Sequence, residues 1–428
     1  MKTIYDTLVW GFIFILVIGC SNEIESDNKT YANIDDSMVQ IKLRTYQEAL
    51  EIAQKSISIL EGEKGITRSS VKRRSVDKNA VIISSKQNIT RSTNCQGDTL
   101  LYVFNYSDNQ GFAVVSASKD TEGLLAITDK GRYNTEECSG IEGFDMFMDL
   151  ATVYVQYSKP GIKLRPPYDF TEIKDSIAVH ESYDGPYVTV RWGQTGVEGG
   201  VCPNHTAGCA ITAMAQAMSY YEYPAFIALT YDGADELIQL LNWSDIKNHI
   251  SYYECNDSPT YHTAIARLCR QLGELAGTTY GSQGSSTGNA GMEYAMQSMG
   301  YQTGGWQAYN ETPLISNIQQ HKILLMRGSR YNETGEEIGH AWLLDGVYTR
   351  TTEVFTFSKT QFELFWNLVY YNTMTSYYYH FNWGYDGSNN GYFSGNVFNT
   401  ANVVNPDTNM NYINKNYNIN VMYLPIYH

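Results

Sequence analysis

The sequence predicts an α+β protein with two folded regions joined by a proline-bearing linker. A strongly periodic helix is predicted to begin at Cys209, and Pro224 ends it. Apolar runs typical of strands occur at 100–116, where two runs flank a polar turn, and again at 341–347. Three prolines fall within 158–182, which marks this segment as the linker.

The chain begins with a predicted targeting segment, residues 1–20. Its apolar run, Leu8 to Ile18, has the length of a signal-peptide core and is too short to span a membrane as a helix. The run ends in Leu-Val-Ile-Gly-Cys20, which resembles a bacterial lipobox. We therefore expect lipidation of Cys20 to anchor the mature protein to a membrane. An ordinary signal peptide with a chance cysteine is the alternative.

The region that follows consists of a polar tether, 21–37, and a folded segment, 38–157. Helical spacing is present in part of residues 38 to 60. The runs Leu100–Tyr106 and Phe112–Ser116 enclose a turn that ends in glycine, which predicts a β-hairpin. Phe144 to Tyr157 has the pattern of a last helix before the linker.

The cysteine at the start of the predicted helix is a candidate nucleophile. Cys209 follows Gly208, so its thiol would lie where free backbone N–H groups and the helix dipole stabilise an anion. A thiol in that position ionises more easily, and the thiolate is the nucleophilic form. The alternative is a small buried cysteine that packs the helix start.

A thiolate nucleophile needs a general base, and two of the eight histidines are candidates. His340 opens the apolar strand 341–347, a position from which a rigid scaffold can present a side chain. His380 alternates with Asn382, so the two should share one face of a strand. The residues alone leave both histidines open.

The sequence gives little support for a metal-binding or a nucleic-acid-binding function. Cys202, His205 and Cys209 have metal-like spacing, but no convincing fourth ligand lies close by, and zinc would occupy the candidate nucleophile. The net charge of −15 argues against a nucleic-acid partner. Seven cysteines at irregular spacing argue against a dense disulfide framework, although Cys255 and Cys269 could pair. We expect no metal and no cofactor.

Four short motifs occur in order along the second region. They are Val-Arg-Trp-Gly-Gln194, Gly-Cys209 with Thr-Ala and Gln downstream, Gly-His340-Ala, and Asn382-Trp383-Gly-Tyr385. Together they resemble the motifs of the streptopain-like cysteine peptidases, a papain-like group. The chain departs from the family pattern at Tyr385, where tryptophan is usual, and lacks the Pro-Tyr-Asn that often follows the glutamine.

The resemblance implies a papain-like fold in which a helical subdomain and a mostly antiparallel sheet subdomain face each other across the active cleft. It implies Cys209 as nucleophile, His340 rather than His380 as base, and Gln194 as oxyanion donor. Asn382 would hold the imidazole in one tautomer, and the Trp383 side chain would shield that hydrogen bond. The predicted substrate-binding residues of the cleft are Ser285, Ser286 and Gly339.

The hairpin resembles part of the propeptide of the same family. This implies an inhibitory prodomain at 38–157, an activation cut within 158–182 and a catalytic domain at 183–428. The predicted protein is a secreted or surface-anchored cysteine endopeptidase made as a zymogen, with protein or peptide substrates and its own prodomain as inhibitor. The expected location is the outer membrane or cell surface, or the medium after release. The alternatives are a catalytically weak peptide-binding or protease-inhibitory surface lipoprotein, and a zinc-binding adhesin.

Overall fold

The structure is a computed structural model of the 428-residue chain. It describes residues 43–62, 74–77, 79–84, 99–134, 139–157, 172–194, 202–231, 238–248, 259–281, 284–331, 337–359, 365–398 and 421–428. Cys20, the targeting segment 1–20 and the tether 21–37 lie outside the described residues. Within the described part, no helix is both long and apolar enough to cross a membrane.

The described residues form helices and strands in a mixed order, which confirms the α+β class. The helices are α1 (Tyr46–Gly62), α2 (Glu142–Tyr157), α3 (Cys209–Tyr221), α4 (Trp243–Asn248), α5 (Pro259–Leu275), α6 (Asn289–Ser298) and α7 (Glu311–Gln319). The strands of the first half are β1 (Val81–Ser84), β2 (Thr99–Asn105), β3 (Phe112–Ser116), β4 (Leu124–Thr128), β5 (Glu172–Asp184), β6 (Phe226–Ala228), β7 (Ile238–Leu240) and β8 (Thr279–Gly281). Those of the second half are β9 (Gly284–Ser286), β10 (Gln302–Thr303), β11 (Gln307–Ala308), β12 (Ile323–Tyr331), β13 (Glu337–Lys359), β14 (Asn367–Asn382), β15 (Gly391–Ser394) and β16 (Met422–Tyr427).

One antiparallel sheet runs through both halves of the described chain. Its strand order is β1-β2-β3-β4-β15-β14-β13-β12-β16-β10, with β11 also paired to β16 and β5 also paired to β13. The two halves join where β4 pairs with β15, with Thr128 opposite Gly391 and Ala126 opposite Phe393. Gly391 permits this approach, because a Cβ there would lie 2.1 Å from the carbonyl oxygen of Ile127.

Helices cover both faces of the sheet. On one face, α3, α5 and α6 pack against strand residues such as Leu325 and Leu343. On the other face, α2 packs against the sheet around Trp342 and Trp383. The helix α1 covers the strands β2 to β4. Burial of these apolar faces provides the main driving force for this arrangement.

Several predicted elements are confirmed, and others have different bounds. The predicted hairpin is β2 and β3, paired from Leu101 with Ser116 to Asn105 with Phe112. The predicted last helix is α2, which begins two residues earlier than expected. The strand predicted at 341–347 is the much longer β13.

The predicted linker is only partly a connecting segment. Residues 172–182, which we expected to be linker, lie in β5 and pair along their length with β13. The reason is that the outer part of β13 offers a row of backbone hydrogen-bonding groups that a neighbouring strand can satisfy. The three prolines all precede β5, and residues 158–171 lie outside the described part of the chain.

Candidate active site

Cys209 lies at the first position of α3, as the sequence predicts. The preceding Gly208 has a φ of +86°, and a Cβ there would meet the Ser285 hydroxyl at 1.8 Å. Glycine is therefore required both by the backbone conformation and by the close approach of the β9 strand. The carbonyl of Gln194 accepts hydrogen bonds from the N–H groups of Ala207 and Gly208 at 2.9 and 3.3 Å. These bonds bring the Gln194 loop beside the cysteine.

His340 lies on β13, opposite Gly328 of β12. Its imidazole is buried, and its Nε2 is 3.0 Å from the backbone carbonyl oxygen of Trp383. A carbonyl oxygen can only accept a hydrogen bond, so Nε2 carries the proton. This leaves Nδ1 as the ring nitrogen that can exchange a proton with a thiol.

Cys209 and His340 line the same cavity and shift each other's ionisation. Burial is the largest single effect on the Cys209 thiol and acts to raise its pKa, but the positive charge of His340, the hydrogen bond to His340 and the hydrogen bond to the Ala341 backbone together outweigh burial and lower the pKa below its ordinary value. Burial acts to lower the pKa of His340, whereas the neighbouring thiolate and the Glu142 carboxylate raise it to about 9. The two shifts favour a thiolate–imidazolium pair near neutral pH.

The prediction that Asn382 holds the imidazole was wrong. The Asn382 amide donates to the carbonyl of Val190 at 3.0 Å and to the side-chain oxygen of Gln216, and its oxygen accepts from the N–H of Gly384 at 3.2 Å. The imidazole instead donates to the Trp383 carbonyl. The physical reason is strand alternation, which directs the Asn382 side chain toward α3 and away from the histidine.

Asn382 nevertheless connects three of the sequence motifs. The side-chain oxygen of Gln216, on α3, accepts a hydrogen bond from the Asn382 amide. The Gln216 amide nitrogen in turn donates to the backbone carbonyl of Trp192 at 3.5 Å. The bonds to Val190 and Gln216 fix β14 to the segment before Gln194 and to the helix that begins at Cys209. Gln216 was not singled out by the sequence analysis, although it lies in the second motif.

Aromatic rings enclose His340. Trp383 is fully buried, with its indole N–H bonded to the carbonyl of Asn389 at 3.1 Å. Its ring centroid lies 6.4 Å from that of the imidazole, and Trp342 lies 6.1 Å away with nearly parallel planes. The tryptophan predicted to shield the histidine therefore contributes both a ring and the accepting carbonyl.

Tyr385 joins Gln194 to the histidine environment. Its ring centroid lies 5.7 Å from that of His340. Burial raises the pKa of the Tyr385 hydroxyl, which is also hydrogen-bonded to the Gln194 side chain and to the backbone N–H of Glu142. The predicted oxyanion donor Gln194 is thus beside the candidate site, with its amide held by Tyr385.

A cavity of about 510 Å³ opens beside Cys209 and His340. The predicted substrate-binding residues Ser285, Ser286 and Gly339 all line it. The other lining residues are Ala210, Thr279, Gly281, Gly284, Thr287, Met292, Arg327, Ile338 and Ala341.

His380 lies away from the cysteine and has a different partner. Its Nδ1 is 2.6 Å from a carboxylate oxygen of Asp345, which is fully buried. The other oxygen of Asp345 accepts from the N–H of Val188 at 2.8 Å. This pair ties the segment that contains Val188 to the sheet. Among the described residues, no group of three or more histidine, cysteine or acidic side chains could hold a metal, and the Cys202 thiol is 3.9 Å from the carbonyl of Ala266.

The start of α2, in the first folded region, touches the candidate site directly. The Glu142 carboxylate lies 3.6 Å from His340 Nδ1. A Cβ on the next residue, Gly143, would lie 2.5 Å from the Trp383 ring and 2.7 Å from the His340 ring. Sequence analysis missed both residues, because an acidic residue and a glycine at a helix start are common features with no chemical signature.

The second half of the chain matches a known protein family. The Peptidase C10 family model matches residues 184–393, the part that contains Cys209, His340 and all four motifs. The chain belongs to the peptidase C10 family. It is a cysteine-type peptidase with a prodomain, since the Spi protease inhibitor model matches residues 41–155.

Two curated proteins and one solved structure illustrate what the chain is similar to. Streptopain from Streptococcus pyogenes is 24% identical over 331 residues, which cover 68% of this chain and 73% of that protein. The thiol protease/hemagglutinin PrtT of Porphyromonas gingivalis is 20% identical over 333 residues, which cover 72% of this chain and 35% of that protein. A solved fragment of Prevotella intermedia prointerpain A covers 81% of this chain and 98% of its own, with 16% identity and a TM-score of 0.47.

Proposed function

We propose that the chain is an exported cysteine endopeptidase zymogen in which Cys209 and His340 form the catalytic pair. The observation that carries the proposal is the His340 ring, whose Nε2 is held by the Trp383 carbonyl while Nδ1 remains available to the thiol. The lowered pKa of Cys209 and the raised pKa of His340 support the same pair.

The proposed reaction has two steps. The Cys209 thiolate attacks the scissile carbonyl carbon, and the His340 imidazolium gives its Nδ1 proton to the leaving amine as the C–N bond breaks. The product of this step is a thioester between Cys209 and the acyl part of the substrate. A water molecule then attacks the thioester, His340 takes its proton, and the thiolate leaves with the acid product released.

The oxyanion of each tetrahedral intermediate needs N–H donors. The backbone N–H of Cys209, at the start of α3, and the side-chain amide of Gln194 are the proposed donors. Loss of one such donor typically costs about 2–4 kcal/mol in the barrier, so Gln194→Ala should lower turnover accordingly.

The prodomain is proposed to inhibit by occupying the histidine side of the site. Glu142 lies against the ring nitrogen that would donate to the leaving group, and Gly143 covers the rings of His340 and Trp383. Ion pairing of Asp129 with Arg191 at 2.6 Å adds a second contact between the two halves. A substrate cannot use His340 while α2 is in this position.

The test compares casein hydrolysis by linker-cleaved wild type, Cys209→Ala and Cys269→Ala. Cys269 is also a cysteine of the catalytic half, but it is buried in α5 and does not line the cavity, so Cys269→Ala is the matched control. We expect hydrolysis by the wild type and the control and none by Cys209→Ala. Equal hydrolysis by Cys209→Ala would contradict the mechanism. A folded wild type without hydrolysis would favour the peptide-binding or inhibitory alternative.

Export and lipid anchoring on Cys20 form a separate part of the proposal. The support is the apolar run 8–18 and the lipobox-like Leu-Val-Ile-Gly before Cys20. Metabolic labelling with an alkyne fatty acid should mark the wild type and leave Cys20→Ser unmarked. Equal labelling of the two forms would contradict a lipid on Cys20.

A further inference from the structure

The cleft cavity contains one permanent cation that the proposed chemistry does not use. Arg327 lies on β12 and contributes to the cavity wall together with Cys209 and His340. Among the described residues that line the cavity, none is acidic. A guanidinium carries a permanent positive charge, so Arg327 gives the cavity wall a cationic group.

The position of Arg327 in the strand directs it toward the cleft. Strand alternation places it on the same face as Ile323 and Leu325, which are fully buried against the helices of the catalytic half. Its partner across the strand pair is Ala341, the residue after the candidate base. Arg327 therefore occupies the point where the apolar row ends and the cavity begins.

The guanidinium is held in place but keeps most of its donors. One terminal nitrogen donates to the side-chain oxygen of Asn289, at the start of α6. Asn289 is itself fixed, since its backbone carbonyl accepts from the indole of Trp306 at 2.8 Å. In the part of the chain that the structure describes, no carboxylate lies within ion-pair distance of Arg327. With respect to the described residues, four of its five N–H donors remain for a ligand.

We propose that this cavity binds an acidic side chain of the substrate and that Arg327 is the residue that selects it. The inference rests on the proposed peptidase function and names its substrate class. A carboxylate can accept two parallel hydrogen bonds from a guanidinium, an arrangement that gives both affinity and geometry. The hydroxyls of Ser285 and Ser286, which also line the cavity, supply further donors.

The test uses fluorescence-quenched peptides in which a single glutamate or glutamine is moved through the three positions on each side of the scissile bond. At one position, the linker-cleaved wild type should cleave the glutamate peptide with a kcat/KM about tenfold or more above that of the glutamine peptide. Arg327→Gln should reduce this ratio to near one. Arg327→Glu should prefer a lysine peptide, and Arg327→Lys should retain part of the glutamate preference.

The control is Arg350→Gln, which removes the same charge from an exposed site on β13 outside the cavity. It should keep the full glutamate preference. Equal cleavage of glutamate and glutamine peptides at every position by the wild type would overturn the proposal, and so would an unchanged ratio in Arg327→Gln. A wild type that cleaves neither casein nor any peptide would instead contradict the proposed function.

Discussion

At the scale of single residues, the histidine environment separates a catalytic role from a structural one. His340 has its Nε2 on a backbone carbonyl and its Nδ1 toward the cleft, so it can give and take a proton. His380 is held by the fully buried Asp345 at 2.6 Å, and that carboxylate also fixes Val188. A buried carboxylate that loses its partner is costly, so His380 serves the fold.

The first prediction compares His340→Ala with His380→Ala. His340→Ala should lose most of its turnover and keep a near wild-type melting temperature. His380→Ala should lose about 3–5 kcal/mol of unfolding free energy, because the buried Asp345 carboxylate loses its imidazole partner. Peptide hydrolysis and urea unfolding measure the two effects. A folded His380→Ala without turnover, beside an active His340→Ala, would reverse the two roles.

At the scale of elements, the N-terminus of α2 is the part of the prodomain that reaches His340, the proposed catalytic histidine. Glu142 supplies a negative charge to His340 Nδ1, and Gly143 allows the helix to lie directly on the aromatic rings. The helix start is itself stabilised by Ser139, whose hydroxyl accepts from the Ile141 N–H at 3.0 Å. The negative charge of Glu142 and the close packing at Gly143 therefore both act on His340.

The second prediction concerns pH. Glu142 helps to raise the pKa of His340 to about 9, so docking of the prodomain favours the protonated ring. This contribution is present while His340 is protonated and is lost as pH rises through about 9. In the linker-cleaved protein, the prodomain dissociation constant should rise across that range.

Glu142→Gln should bind two- to fivefold more weakly near neutral pH, roughly the effect of a half-exposed ion pair, and should match the wild type above pH 9. Glu48→Gln is the control, since Glu48 pairs with Lys119 within the prodomain. A dissociation constant that is independent of pH in wild type and Glu142→Gln alike would show that Glu142 does not act through His340.

The third prediction concerns packing. A methyl group at Gly143 would lie within 2.7 Å of atoms in both Trp383 and His340, and the buried tryptophan cannot easily move. Gly143→Ala should therefore weaken prodomain docking by about 1–3 kcal/mol, the usual cost of overpacking. Measurement of residual peptide hydrolysis by the intact chain should show higher activity than in the wild type. Gln156→Ala, at an exposed position on the same helix, should match the wild type.

At the scale of the whole molecule, the prodomain and the catalytic half share one sheet. The β4–β15 pairing uses Gly391 and Phe393, which lie in the same stretch as the last sequence motif. Lys130 adds a hydrogen bond to the carbonyl of Asp386 at 3.0 Å, and the N–H of Asp129 donates to the carbonyl of Asn390 at 3.0 Å. Departure of the prodomain therefore leaves β15 with an unpaired edge.

The fourth prediction locates the activation cut. Because β5 pairs with β13 along its length, residues 172–184 are poor protease substrates, and the cut should fall within 158–171. Mass spectrometry of the processed protein should find an N-terminus before β5, and the processed form should hydrolyse peptides faster than the intact chain. Equal activity of the two forms would mean that the first region is not inhibitory. An N-terminus beyond residue 184 would mean that β5 is removed.

The sequence by itself determined the fold class, the hairpin of the first region, the helix that begins at Cys209 and the motifs that define the family. These features are local, because periodicity, turn residues and short motifs report how a segment folds and which face it buries. They required no knowledge of distant partners.

Only the tertiary structure decided which residues pack against the buried faces of these helices and strands. It showed that the partner of His340 is the backbone carbonyl of Trp383 and not the side chain of Asn382. Every residue has a backbone carbonyl, so no sequence motif could have revealed this partner. It also brought Glu142 to His340 and placed Arg327 in the cleft. Such contacts join residues far apart in sequence, and the packing of helices on the shared sheet sets them, which no local pattern encodes.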